Sequence, residues 1–377
     1  VAPPRAPELD LRSSVSEVDI DPSIDEQRMH QAVRAAAAVR RVVSPRPWVG
    51  AVLVPPGEGG HAGFVGATQG RTGAHAEVEA LRVAGGAARG ATLYSTLEPC
   101  SHHGHTGPCA DAIIAAGVAR VVVGIADPDP QVAGEGIARL RAAGIEVEVG
   151  VAATEVGAQL APYLTHRRTG RPYVVLKLAG TLDGRTAAPD GTSQWITGPD
   201  ARLDAHRLRA DSDAVLVGAG TVRADDPALT VRLPAGELPA GFEAPRRVVL
   251  GAIPTAARVR PAIELSGPLA DVLDELGRQG VLQLMVEGGA GVAHDLHAAG
   301  LVDRYVLYVA PALFGGDDAR GLFAGAGAPT LADLWRGRIT DVTRLGDDIR
   351  IDLTPADGPV PPTAASKPHP DPQRGGA

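Results

Sequence analysis

His75-Ala76-Glu77 is followed downstream by Pro99-Cys100 and Pro108-Cys109, and those are the only two cysteines in 377 residues. One imidazole and two thiolates suit a zinc ion that keeps a fourth position open, with Glu77 left beside the metal rather than on it. This set constrains the fold, because the separate elements that carry the three ligands must meet at one point. Local patterning shows how they can. Ala74 to Val83 reads as an amphipathic helix, Val78, Ala80 and Leu81 against Glu79 and Arg82, which puts His75 and Glu77 in its first turn. Positions two apart do not share a helix face, yet at a helix start both side chains can converge on an ion near the terminus. Ala91 to Leu97 reads as a strand ending at Glu98-Pro99, and Cys109 opens a helical run, Ala110 to Ala116, whose N-terminus favours thiolate over thiol.

Replacing an aromatic amino group by oxygen needs hydroxide at neutral pH, which a zinc ion with an open position supplies by lowering the pKa of bound water to about 7. The attacking water must lose a proton and the leaving amine must gain one. Glu77 is placed to carry it, as in the zinc deaminases of nucleobases. Alone, the His-Ala-Glu triplet is ordinary in an alanine-rich helix, since Ala and Glu are good helix formers. Both Pro-Cys pairs give it its weight. A disulfide is the competing use of two cysteines, but no hydrophobic secretory segment is present, so a cytoplasmic location is expected, where disulfides are rare. His102, His103 and His105 lie between the cysteines, as extra ligands or as polar lining of a pocket.

The length suggests two domains, and 44% hydrophobic with only 3% aromatic residues means cores built mainly of Ala, Val and Leu. A formal charge of −8 without a basic block excludes a nucleic-acid surface and favours a small-molecule substrate. No apolar run reaches the length of a membrane span. Residues 1–25 and 355–377, rich in proline and small polar residues, read as disordered tails. Residues 26–152 alternate helix (Glu26 to Val39), strand (Val49 to Val54), the metal-site elements, strand (Val118 to Ile125), helix (Gly136 to Ala143) and strand (Ile145 to Val149), a three-layer α/β pattern with a mainly parallel sheet. Residues 153–171 read as a linker helix. Residues 172–354 form a second α/β domain, with strands Tyr173 to Ala179, Ala214 to Val217 and Val281 to Val286 and a helix over Asp200 to Ala210. Its Glu287-Gly288-Gly289-Ala290-Gly291 run between strand and helix either lets backbone N–H groups approach a phosphate or is simply a turn. The dinucleotide fingerprint GxGxxG is absent, so an ordinary Rossmann crevice is not expected.

From Glu26 to Leu353 the chain resembles the bifunctional deaminase/reductase family of riboflavin biosynthesis. The resemblance rests on HAEVEAL at His75, TLEPCSHHG through GPC ending at Cys109, DPDPQVAGEG at Asp127, KLAGTLDGRTA at Lys177, SQWIT at Ser193, ADDPALTVR at Ala224 and VEGGAGVAHDL at Val286. It implies a cytidine-deaminase-like domain over 26–152 and a dihydrofolate-reductase-like domain over 172–354 that uses NADPH. The implied substrate is a pyrimidine ribonucleotide, 2,5-diamino-6-(ribosylamino)pyrimidinone 5′-phosphate, deaminated with zinc on His75, Cys100 and Cys109 and Glu77 as proton carrier; its ribose is then reduced to a ribityl chain. By position in the motifs, Ala179, Trp195, Thr221, Asp225 and the run Gly289, Ala290, Gly291, Val292, Ala293, His294 and Asp295 would contact NADPH. Ser193, Arg209, Leu229, Arg232 and Glu287 would contact substrate, two arginines being suited to a phosphate. A homo-oligomer is expected.

Several positions depart from the family pattern. Pro45-Arg46-Pro47 stands where Pro-Asn-Pro is usual, His105 where a basic residue follows the His-rich loop, Asp129 for an Asn, and Glu135 for a basic residue. Arg46 and His105 are accordingly expected to serve the phosphate or ribose end of the substrate. These changes leave open a deaminase for a modified pyrimidine, or one domain kept only as a structural module. Between Arg260 and the helix expected near Leu269, too little chain is left for the strand that relatives have there, so a trimmed sheet edge is expected.

Overall fold

The computed structural model describes residues 23–57, 63–102, 107–129 and 132–356. Most of both expected tails, and His103 and His105, lie outside them. The N-terminal unit runs α1 (Ile24–Val43), β1 (Gly50–Val54), β2 (Phe64–Ala67), α2 (Ala76–Ala84), β3 (Thr92–Leu97), α3 (Cys109–Ala116), β4 (Arg120–Ile125), α4 (Glu135–Ala142), β5 (Glu146–Val149) and α5 (Ala153–Thr169). Helix α1 begins two residues earlier than the pattern suggested, because Ser23 and Glu26 close a capping box that satisfies orphan N–H groups at both positions.

The sheet order is β2-β1-β3-β4-β5, with β1 antiparallel to β2 and β3, and β3, β4 and β5 parallel. It is therefore mixed, not mainly parallel; β2, four residues long, was too short to show a period. That strand matters for the site. A Cβ on Gly66 would lie 2.1 Å from the Ala76 carbonyl oxygen and 2.5 Å from the Ala80 nitrogen, so only glycine lets α2 settle this close to the sheet. His75, the N-cap of α2, is thereby fixed over the sheet edge. Met29, Trp48, Leu53, Leu93, Ile113 and Leu140 are fully buried between the layers.

The C-terminal unit runs β6 (Tyr173–Thr181), β7 (Arg185–Ala187), α6 (Pro199–Ala210), β8 (Ala214–Gly218), α7 (Ala219–Asp225), β9 (Arg246–Leu250), β10 (Ile263–Leu265), α8 (Leu269–Arg278), β11 (Gln283–Val286), α9 (Ala290–Ala298), β12 (Arg304–Ala310), β13 (Arg320–Gly321), β14 (Gly337–Leu345) and β15 (Asp348–Pro355). Strand β10 corrects the expected trimmed edge: three residues suffice to pair it in parallel with β9. The large sheet has the order β10-β9-β8-β11-β6-β12-β15-β14, parallel as far as β12 and antiparallel beyond.

Alternate residues of the strands face opposite cores. Val174, Leu176, Leu216, Leu284 and Val286 pack with Val272 and Leu276 of α8 and with Ala293 and Leu296 of α9. Val175, Val215, Val217 and Met285 pack with Ala201, Ala205 and Leu208 of α6 and with Val222 of α7. Adjacent parallel strands β8 and β11 thus send their following helices to opposite faces. Such a switch in direction opens a crevice at the carboxyl ends of the two strands.

The units are joined by more than α5. Arg41 pairs with Asp211 at 2.7 Å, Arg40 donates to the Asp211 carbonyl and to Gln283, and His166 meets the Gly277 carbonyl at 3.0 Å.

Candidate functional site

The three expected ligands converge. Nδ1 of His75 lies 3.5 Å from Sγ of Cys100 and 3.2 Å from Sγ of Cys109, and all three ligand atoms fall within 4.8 Å of one another. A tetrahedral zinc with bonds of roughly 2.0 Å to nitrogen and 2.3 Å to sulfur holds such atoms about 3.5 Å apart, so the donor set fits that ion in chemistry and in spacing. Each ligand has a structural reason to be there. His75 caps α2, Cys100 follows the end of β3, and Cys109 is the first residue of α3, its N–H donated to Sγ of Cys100 at 3.4 Å. The Cys109 side chain and then the His75 imidazole hold the Cys100 thiol well below the ordinary thiol range, and Cys100 in turn raises His75.

Glu77 lies in the first turn of α2 and is 3% exposed. Burial pushes its carboxyl up to about 7, against the opposing pull of His75. A carboxyl balanced near neutrality beside a metal-ligand set can accept a proton in one step and return it in the next.

The second cluster occupies the crevice between β8 and β11. Helix α7 starts directly after β8, and Gly289 is the N-cap of α9 just after β11. A Cβ on Gly289 would come 3.1 Å from Oγ1 of Thr221, so the missing side chain leaves a cradle between the two helix starts. Ala290, Gly291, Val292, Ala293, His294 and Asp295 follow on α9, the Ala293 side chain buried in the core rather than facing the crevice. Ala179 lies on β6, next to β11 in the sheet. Asp225 ends α7, exposed.

Arg209, on the last turn of α6, meets Glu287 twice, Nε and Nη2 lying 2.7 and 2.6 Å from Oε1, and its Nη1 reaches the Thr230 carbonyl. Leu229 is buried at φ 50°, and the exposed Arg232 donates its N–H to Nδ1 of His206 at 3.4 Å. These residues form one group. Ser193 and Trp195 precede α6; Trp195 is 67% exposed with the Arg202 guanidinium 4.8 Å above its ring, outside the contacts joining the others.

Two residues of this cluster were not singled out from sequence. Lys177 is enclosed on β6; burial lowers its pKa while the Glu287 charge opposes the shift. A lone lysine inside the apolar strand YVVLKLAG was the available signal. His206 is held down to about 4 by burial and by Arg209 and Arg232, so it is a neutral acceptor at physiological pH.

Comparisons with known proteins agree with this division. Residues 22–125 match the cytidine and deoxycytidylate deaminase zinc-binding region, and residues 172–351 match the RibD C-terminal domain. The riboflavin biosynthesis protein RibD of Escherichia coli is 41% identical over 372 residues, covering 88% of this chain and 100% of that protein. Its Mycobacterium tuberculosis counterpart is 43% identical over 344 residues, covering 88% and 97%. Among solved structures, Acinetobacter baumannii RibD superposes with a TM-score of 0.81 at 38% identity, covering 88% of this chain and 99% of that one. A deaminase/reductase structure from Thermotoga maritima gives 0.77 at 31% identity, covering 88% and 99%.

Proposed function

Because the chain belongs to the RibD family and is a bifunctional deaminase/reductase of riboflavin biosynthesis, we propose that it deaminates the diamino-ribosylaminopyrimidinone 5′-phosphate at the His75, Cys100 and Cys109 centre and reduces the ribosyl chain of the product in the β8/β11 crevice. The observation that carries the reading is the convergence of these three ligands around buried Glu77. When bound, zinc would supply the Lewis acidity that makes water nucleophilic at neutral pH, and NADPH the hydride. Glu77 takes the proton of the attacking water and returns it to the departing amine.

In the second half the helix starts around Thr221 and Gly289 would receive the cofactor pyrophosphate, with Ala179, Trp195, Asp225 and residues 290–292, 294 and 295 along its length. Arg209 and Arg232 hold the substrate phosphate, Glu287 and Lys177 its polar hydroxyls, and Ser193 and Leu229 close the site. The assigned domains are 26–152 and 172–354. No described helix is long and apolar enough to cross a membrane; a cytoplasmic location is part of the proposal, in keeping with two free thiols. A homo-oligomer is supported by Ile339 and Val342 of β14, each 58% exposed on the free edge of the large sheet.

The test follows ammonia release and NADPH oxidation by the purified, zinc-loaded chain with this nucleotide. Ammonia should appear without NADPH, and NADPH oxidation only after deamination; NADH should serve less well. Failure to release ammonia from this nucleotide would transfer support to a modified pyrimidine as substrate, the second reading, which Arg46 favours by bringing a charge to the Gly70 and Gly73 carbonyls in the turn that leads to His75.

A further inference from the structure

Of the three metal ligands, His75 and Cys109 sit at helix starts, while Cys100 lies on irregular chain between β3 and α3. Something other than its own element must hold it. The residue before Pro99-Cys100 is Glu98, 3% exposed, and among the described residues no cation pairs with its carboxylate. Three backbone donors hold that charge instead. The N–H groups of Asp127 and Gly134 donate to Oε2 at 3.2 and 3.0 Å, and that of Ile137 donates to Oε1 at 3.2 Å. Gly134 is the N-cap of α4 and Ile137 its third residue. An N-cap side chain ordinarily takes the N–H of the third helical residue, and a first-turn Glu returns to the N–H of the cap. Gly134, at φ 84°, has no side chain to offer, and Glu98 does both jobs from the end of β3.

The cap brings α4 against the Cys100 loop. A Cβ on Gly136 would lie 1.9 Å from the Pro99 carbonyl oxygen, so the first turn of α4 rests directly on the residue before the ligand. Past the ligand, Nη1 of Arg139 donates to the Ser101 carbonyl at 3.5 Å, and its Nη2 pairs with Asp111 of α3 at 2.6 Å. Helix α4 thus meets the chain on both sides of Cys100. We propose that Glu98 is a positioning residue of the metal centre: by docking α4 on Pro99 it fixes where Sγ of Cys100 stands relative to His75 and Cys109. This rests on the zinc reading above and not on which nucleotide is deaminated. A ligand held in place before the ion arrives loses less freedom on binding it, and groups that orient ligands from behind commonly change metal affinity by about tenfold or more. The carboxylate itself is required. An amide at this position offers one oxygen to three donors and turns its own N–H groups toward the rest.

The experiment uses the full-length, zinc-loaded protein with Glu98→Ala, Glu98→Gln and, as a control, Leu140→Ala, which removes a fully buried side chain of α4 without touching the cap. Zinc affinity is read by competition with a chromophoric chelator, well below the melting temperature. The cobalt-substituted proteins are compared by their d–d and thiolate charge-transfer bands. Glu98→Ala should bind zinc about tenfold or more weaker than wild type, and its cobalt bands should shift or weaken as the Cys100 thiolate moves off. Glu98→Gln should fall between. Leu140→Ala should melt lower yet keep wild-type affinity and bands. Reduction of pre-deaminated nucleotide should match wild type in both Glu98 variants. Wild-type affinity and bands in Glu98→Ala overturn the proposal, whatever its melting temperature, and leave Glu98 a cap for α4 alone. Equal zinc loss from Leu140→Ala also overturns it, because any loosening of α4 would then suffice. If Glu98→Ala does not fold, Glu98→Gln decides by the same two readouts. A wild-type chain that takes up no zinc overturns the metal reading and this proposal together. A zinc-loaded wild type idle on the nucleotide, with Glu98→Ala still weaker for zinc, supports the role of Glu98 and sinks only the substrate assignment.

Discussion

Among the described residues, Glu287 is the carboxylate that faces both Arg209 and Lys177. It meets Arg209 at 2.7 and 2.6 Å, with the two side chains only 14% and 9% exposed, so solvent screens the pair little. Lys177 is enclosed beside them, and its charge also acts on Glu287. Removing one partner of a buried pair typically costs about 3–5 kcal/mol because the other charge is left uncompensated. Glu287→Leu should lie in that range, for it strands two like charges together. In a domain of this size 1 kcal/mol corresponds to about 2–4 °C, so the reductase transition should drop by roughly 6–20 °C. Arg209→Met should cost less, about 1–3 kcal/mol, since Lys177 still neutralises the carboxylate. The double variant should then be more stable than Glu287→Leu alone, because removing Arg209 relieves the repulsion. Burial alone would raise the Glu287 pKa, but Arg209 and then Lys177 outweigh it, and the net shift is downward. A depressed carboxylate stabilises above its unfolded pKa, about 4.3, and loses that contribution as pH falls through its folded value. The gap between wild type and Glu287→Leu should therefore stay flat from about pH 6 to 8 and close below about pH 4. Calorimetric scans read this, with the reductase transition identified by its upward shift on adding NADPH. A double variant less stable than Glu287→Leu, or a Glu287→Leu protein within about 1 kcal/mol of wild type, would refute the two-cation account.

Glu77→Ala should abolish ammonia release with close to one zinc per chain retained, because it removes a proton carrier and no ligand; reduction of pre-deaminated nucleotide should survive. Cys100→Ser, by contrast, should lower bound zinc well below one per chain, as metal analysis would show. Gly289→Asp should weaken NADPH by about tenfold or more, about 1.4 kcal/mol, since the new side chain meets Thr221 and carries negative charge into the cradle. Deamination by that variant should be untouched, and unchanged NADPH titration would make the glycine run a turn and nothing else.

The metal centre was legible because its chemistry is rare in this composition: two cysteines in the whole chain, each after a proline, one of them opening a helix and one just after a strand. The crevice was only half legible. Sequence shows a glycine run after an apolar strand, but β8 and β11 become neighbours only through pairing across long stretches of chain, and the cradle needs Thr221 from one to face Gly289 from the other. Lys177 was hidden by its own strand, in which apolar neighbours made it look like an interruption. The far edge of the large sheet shows what alternation leaves out. In β15, Ile349, Ile351 and Leu353 alternate with Arg350, Asp352 and Thr354, a pattern that places the aliphatic set inside. Leu353 does pack on the α8/α9 core, but on the other face Asp352 is 1% exposed, held by Arg304 and Arg350, and Arg350 also reaches Asp204 of α6. Charge satisfaction, which no periodicity encodes, lets the polar face be buried as well. Toward the sheet edge the aliphatic face runs out of cover: Ile349 is 41% exposed, and on the paired strand β14 Ile339 and Val342 are each 58% exposed. An apolar strip on an unpaired sheet edge is an aggregation hazard for an isolated chain and a natural seam for a second copy. The exposed aliphatic side chains of β14 are thus the physical reason to expect a homo-oligomer.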